Sequence, residues 1–167
     1  GILGGDDCQP ASPTTGCGHL IAGTTRVWET ISGAAATVPT SAWYTTTSAS
    51  CTGTNPCLTK GTLGNRSFIN QVKYSPKYQS VAIVGTNDAN VQIGFNLGTG
   101  VAAQANWVDV TGGNAVLPLR PVLGIALDPS VPSVDVPVGY AAVGGFNANT
   151  PTQPGHVFQV TCASNCT

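Results

Sequence analysis

Charge is scarce in this sequence. Asp, Glu, Lys and Arg make up 8% of the 167 residues, against about 25% in an ordinary soluble domain. Six basic residues face seven acidic ones, for a net charge of −1. No Lys/Arg cluster exists to neutralise a run of phosphates, which excludes nucleic acid as a partner. Long apolar runs are missing too. The longest are strand-length and broken by Gly or Pro, well short of the roughly 18–20 residues of a membrane span. No CxxC occurs and only two histidines exist, so zinc-type spacing is absent. Neither a phosphate-loop spacing nor a Gly-x-Ser-x-Gly elbow appears, leaving nucleophilic catalysis without a candidate.

What the chain does have points to strands and turns. With 21 Gly and 12 Pro, and polarity supplied by Thr, Ser, Asn and Gln, long helices are disfavoured. Hydrophobic residues at 41% with almost no net charge oppose disorder. An all-β fold is expected. Six cysteines fall as three close pairs, Cys8 and Cys17, Cys51 and Cys57, Cys162 and Cys166, each in a loop-like context. Proximity suggests three local disulfides formed in an oxidising compartment, and so a secreted or cell-surface protein. The chain starts at Gly1 without Met and shows no signal peptide, as a mature or cut product would. Asn65-Arg66-Ser67 and Asn165-Cys166-Thr167 are glycosylation sequons at Asn65 and Asn165.

From residue 18 onward the chain repeats itself. Residues 19–24, 81–86 and 140–145 are short apolar strands ending in Gly, each leading through a loop into a strand of period 2. Trp43 and Trp107 lie in a strand after the alternating one. Residues 68–76 and 121–129 are strands closed by Ser75-Pro76 and Asp128-Pro129. The spacing is about 60 residues, with four strands per unit, the pattern of a β-propeller, in which stacking buries both faces of each sheet. The expected organisation is a Cys/Pro/Gly-rich segment over 1–17, blade-like repeats over 18–79 and 80–138, and the start of a third over 139–167. Trp28, Trp43 and Trp107 are expected between blades. A two-sheet sandwich is the competing architecture. Fewer than three blades leave raw edges, because propellers need about 4–8, so a fragment of a larger propeller, or a ring shared between chains, is expected.

Asn106-Trp107-Val108-Asp109-Val110-Thr111-Gly112, followed by Leu117-Pro118 and Gly124 through Pro129, resembles the blade consensus of BNR/sialidase-like repeat propellers. The resemblance spans about residues 18–164 and implies fold more than function, since such propellers host glycosidases, adhesins and assembly factors alike. The Asp box that should precede Trp107 lacks its Asp, and the stretch before Trp43 is equally degenerate. A sialidase would need an Arg triad, a Tyr nucleophile with a Glu partner, and an acid/base Asp. Nothing marks Arg26, Arg66 and Arg120 as convergent.

The remaining chemistry reads mostly as structure. Asp128 precedes Pro and is expected to cap its own turn; Asp109 is expected to face solvent from the Trp strand. Glu29 follows Trp28 in an alternating strand and is a groove candidate, but one acid is not the pair glycoside hydrolysis needs. Asp6-Asp7 and Asn87-Asp88-Asn90 are oxygen-rich loops, each too small alone for Ca²⁺. His19 and His156 open strands and are expected to pack. Trp28, Trp43, Trp107, Tyr44 and Tyr140 offer a carbohydrate-stacking surface, with burial the commoner use of such residues. Two functions follow. One is an extracellular structural or interaction propeller without catalysis, partnered by the rest of its propeller, by other chains or by carbohydrate. The other is a segment of a BNR-repeat glycoside hydrolase whose catalytic residues lie elsewhere.

Overall fold

A computed structural model describes residues 2–4, 19–24, 26–31, 43–45, 68–100, 105–111, 117–131, 133 and 136–162. Among them the regular structure is strand, with one short 3-10 turn over Asn147–Asn149. The first sheet contains β1 (Ile2–Gly4), β2 (Leu20–Gly23), β3 (Val27–Thr30) and β4 (Tyr44–Thr45). The middle sheet contains β5 (Ile69–Tyr74), β6 (Ala82–Thr86), β7 (Val91–Phe95) and β8 (Asn106–Asp109). The third contains β9 (Val122–Leu127), β10 (Val138–Val143) and β11 (Val157–Thr161). In every sheet the strands lie side by side in chain order and pair antiparallel.

The protein is therefore all-β, and the sequence repeat and the hydrogen-bonded sheet are out of phase by one strand. The strand closed by Ser75-Pro76 opens the middle sheet rather than completing the first, and the strand closed by Asp128-Pro129 opens the third. Both turns are held alike. Ser75 Oγ accepts from the Lys77 and Tyr78 N–H groups at 3.2 and 3.1 Å. Asp128 Oδ1 accepts from Ser130 N–H at 2.8 Å and from its hydroxyl at 2.6 Å.

Period-2 alternation sends successive side chains to opposite faces, and the middle sheet buries both. Ala82, Val84 and Trp107 pack with Ile21 and Val27 of the first sheet, joined by Ile69, Val72 and Leu97. Ile83, Val91, Ile93 and Phe95 pack with Val122, Ile125, Leu127, Ala141 and Val160 of the third. Two apolar seams result, with three sheets stacked in chain order rather than two closed over one core. Every residue of β6 and β7 is buried, which is why these strands tolerate so little polarity. Burying a Val or Ile contributes about 1.5–3 kcal/mol.

The ladders make the repeat residue-specific. Gly23 pairs with Val27 and Gly85 with Val91. In the third sheet Ala142 pairs with Val157. The bulge between Ile69 and Gln71 recurs where Val122 and Gly124 pair across Val143 and Ala142. Ala142, and not Gly144, is thus the counterpart of Gly23 and Gly85, a two-residue offset that apolar periodicity alone does not resolve. The glycines have a steric reason. A Cβ at Gly23 would lie 2.6 Å from Ile69 Cγ2, and one at Gly85 2.5 Å from Val122 Cγ1. Each seam closes by the same fit, a branched side chain of the following sheet seated on bare backbone.

Candidate functional site

The one buried acid–base cluster among the described residues lies in the first seam. His19, just before β2, and Glu29, on β3, face the middle sheet, from which Tyr74 at the end of β5 reaches back. Tyr74 donates its hydroxyl proton to Glu29 Oε1 at 2.6 Å, and the same hydroxyl oxygen is 2.6 Å from His19 Nε2. His19 Nε2 is 3.1 Å from Glu29 Oε1, and the Gly98 N–H donates to Glu29 Oε2 at 3.4 Å. With the phenol proton given to Glu29, His19 serves either oxygen only with its own proton on Nε2, a tautomer assigned from the network. The two rings sit 4.5 Å apart, tilted by 46°. Gly98 completes the enclosure. Its φ is +74°, and a Cβ there would run into the imidazole, so glycine is required twice over.

Glu29 is 0% exposed and His19 7%. A carboxylate so placed needs paired donors to offset its lost hydration, and Tyr74, His19 and Gly98 supply them. The cluster thus forms a hydrogen-bond network in which Glu29 and His19 are buried and Tyr74 is half-buried. Glu29, a groove candidate in the sequence, faces the neighbouring sheet.

The other sequence candidates are dispersed. Arg120 is buried, and its guanidinium is held by the Gly155 carbonyl and by Asn147 Oδ1, which also accepts from Gly155 N–H. It pins the segment before β9 to the loop before β11, away from Glu29. Arg26 is half-buried in the β2–β3 turn, where its N–H donates to Thr24 Oγ1 at 3.3 Å. Arg66 lies outside the described residues. The three described aspartates bond within their own turns. Asp88 accepts from the Thr86 hydroxyl. Exposed Asp109 accepts from Thr111 N–H at 2.7 Å and from its hydroxyl. Asp128 is held below the usual carboxylate range, first by the Ser130 hydroxyl and then by the Ser130 N–H. No three His, Cys, Asp or Glu among the described residues gather as a metal site, and Asp6 and Asp7 fall outside them.

Trp107 is buried in the first seam, flat on Gly94 of β7; a Cβ there would meet the ring at 2.8 Å. Trp43 and Trp28 are half-buried, and Trp28 Nε1–H donates to Thr24 Oγ1 at 3.2 Å. Exposed His156 lies with Nδ1 3.2 Å from the Val143 carbonyl. Cys162 is disulfide-bonded, and its partner lies outside the described residues. Cys8, Cys17, Cys51, Cys57, Cys166, Asn65 and Asn165 also lie outside them, as does the side chain of Tyr44. No helix among the described residues is long and apolar enough to cross a membrane. No family model matches the chain, and no curated protein or solved structure matches it either.

The feature that sequence reasoning missed is a surface. At ladder-equivalent positions Val27 and Val91 are 0% exposed and Val157 is 70% exposed. Ile21 and Ile83 are likewise sealed, whereas Tyr140 is 37% exposed. Leu123, folded across Gly144 on the same face, is also exposed. On this outer face of the third sheet Asp128 borders the patch, its carboxyl within reach of the Tyr140 hydroxyl, while Leu123, Tyr140 and Val157 themselves form an apolar surface.

Proposed function

We propose that the chain is an extracellular β-propeller-type module with a structural or binding role and no catalysis of its own, its third sheet being the surface that receives further protein. The observation that carries the reading is the exposure of Tyr140 and Val157 where the counterparts in both other sheets are sealed. Contiguous exposed apolar surface marks interaction sites, and the occupant that fits is another antiparallel sheet of the same repeat. Ala142 refines the fit. Its Cβ occupies the space that Ile69 and Val122 take over Gly23 and Gly85, so the incoming sheet carries a small residue at that contact. Placement outside the cell is supported by the disulfide at Cys162.

The test is sedimentation of the chain over a concentration series, with Val157→Asp and Leu123→Asp as probes. Association that these exposed positions abolish, with melting temperature unchanged, is the expected result. A monomer at every concentration, indifferent to both substitutions, rejects the reading. Peptide mapping without reductant should link Cys8 to Cys17, Cys51 to Cys57 and Cys162 to Cys166, and free thiols at those positions would reject extracellular placement.

A second reading, a segment of a BNR-repeat glycoside hydrolase, draws on the Tyr74–Glu29 hydrogen bond, the pairing such an enzyme uses for its nucleophile. Arg120, engaged instead by Asn147 and Gly155, weighs against it. Turnover of a fluorogenic sialoside, lost in Tyr74→Phe, would decide for it.

A further inference from the structure

We propose that the edge of β11 left open among the described residues is an acceptor for an extended, tryptophan-bearing strand donated by another protein chain. The proposal rests on reading the three sheets as copies of one unit. The acceptor is the edge of the third sheet, distinct from the face that carries Tyr140 and Val157.

The first and middle sheets each end in a fourth strand, β4 and β8; Trp107 lies in β8 opposite Gly94, and Trp43 immediately precedes β4, where extending its register places it at the corresponding rung. The third sheet ends at β11, whose one neighbour among the described residues is β10. The hydrogen bonds show which groups face outward. On β7, the Asn90 carbonyl accepts from Thr86 N–H on the β6 side, and the Val91 carbonyl accepts from Val110 N–H on the β8 side. On β11, the His156 carbonyl accepts from Val143 N–H on the β10 side. Alternation then turns the N–H and C=O groups of Val157, Gln159 and Thr161 to the open edge, with Val157 standing where Val91 receives β8.

Edges of this kind are normally blunted by charge, proline or a bulge. Residues 157–161 read Val-Phe-Gln-Val-Thr, with neither charge nor proline, and their register with β10 is unbroken. An edge of this kind takes an extended segment, and main-chain pairing supplies the affinity. The ladder also sets the register. The donated tryptophan stands opposite Val160, as Trp107 stands opposite Gly94 and Trp43, one rung beyond the Glu29–Tyr44 pair, opposite Thr30. Thr30 shows that a β-branched residue is accommodated at that rung.

The test uses the full chain and a fluorescent peptide copying residues 104–111, the middle sheet's own fourth strand, followed by anisotropy. Saturable binding is expected, about tenfold weaker when the peptide's Trp107 is replaced by Ala. Methylating the peptide amide of Val110, which faces the acceptor, abolishes binding, and methylating that of Asp109, which faces away, does not. In the protein, Gln159→Pro removes an edge N–H and abolishes binding. Because these peptide variants leave the protein untouched, the result survives if Gln159→Pro fails to fold. Absence of saturable binding overturns the proposal, as does binding indifferent to which amide is methylated, which is mere adsorption. Binding unchanged in Gln159→Pro overturns it too, since the peptide would then be replacing β8 on β7. Peptide binding without the self-association expected above would retain the edge and remove the face, and the reverse outcome would do the opposite.

Discussion

The two seams of this molecule are built on the same ladder, and at one level they are filled with opposite chemistry. In the first, His19, Glu29 and Tyr74 meet between the sheets. Their counterparts in the second are Val81, Ile93 and Leu127, all within one apolar cluster. The backbone fit is otherwise shared, down to the branched side chains over Gly23 and Gly85. The fold thus accepts either filling at this level of the seam, so the polar network is not needed to make the sheets stack. Its expected contribution is pairing specificity: a carboxylate that must find one phenol and one imidazole favours the middle sheet over other surfaces.

Moving the charge into the wrong seam is the most severe way to break this comparison. Ile93→Glu places a carboxylate beside Val81 and Leu127, which offer no donor. A loss of about 3–5 kcal/mol is expected in urea unfolding. Adding Val81→His and Leu127→Tyr should recover part of it by rebuilding the first seam's network in the second. A fully tolerated Ile93→Glu would mean that the second seam is wet.

A smaller loss is expected in the first seam. Tyr74→Phe keeps the ring and removes the hydroxyl, leaving Glu29 with one donor fewer, at a cost of about 1–3 kcal/mol. Replacing all three residues with their second-seam counterparts, His19→Val, Glu29→Ile and Tyr74→Leu together, should do less harm than Tyr74→Phe alone. Exchange of a buried ionic network for packed apolar groups is often neutral or stabilising. If the triple variant is the less stable of the two, the network contributes net stability rather than specificity, and the comparison must be redrawn.

Much of the stacking was legible in the sequence, because apolar strand, alternating strand and Trp strand recur in that order and each pattern follows directly from which face is buried. The phase was not. Local alternation says that residues 69–74 form a strand, but nothing local says whether that strand pairs backward or forward along the chain; hydrogen bonding to β6 decides it. Gly144 looked like the partner of Gly85 because both end apolar runs, whereas a bulge displaces the true counterpart to Ala142. The polar cluster was hidden by distance. Its members are separated by 10, 45 and 55 positions, and each alone resembles an ordinary strand residue. Glu29 carried the clearest signal, an acid among apolar neighbours in a strand, but its partner sits on a different sheet.

The two (Ser/Asp)-Pro turns extend the comparison to its mildest case. Ser75 and Asp128 perform the same capping task, one with a neutral oxygen and the other with a carboxylate held below its usual range by the Ser130 hydroxyl and N–H. A carboxyl whose pKa is lower folded than unfolded contributes stability that is present above the unfolded value, about 3.9, and is lost as pH falls through the folded value. Asp128 is only half-buried and its partners are solvent-accessible, so the effect is small. Asp128→Ser should leave the melting temperature near neutrality almost unchanged and make it fall less steeply as pH drops below about 4. Identical acid limbs for the two proteins would show that the Asp128 bonds to Ser130 do not outlast solvent competition. The two turns would then be equivalent in energy as well as in place.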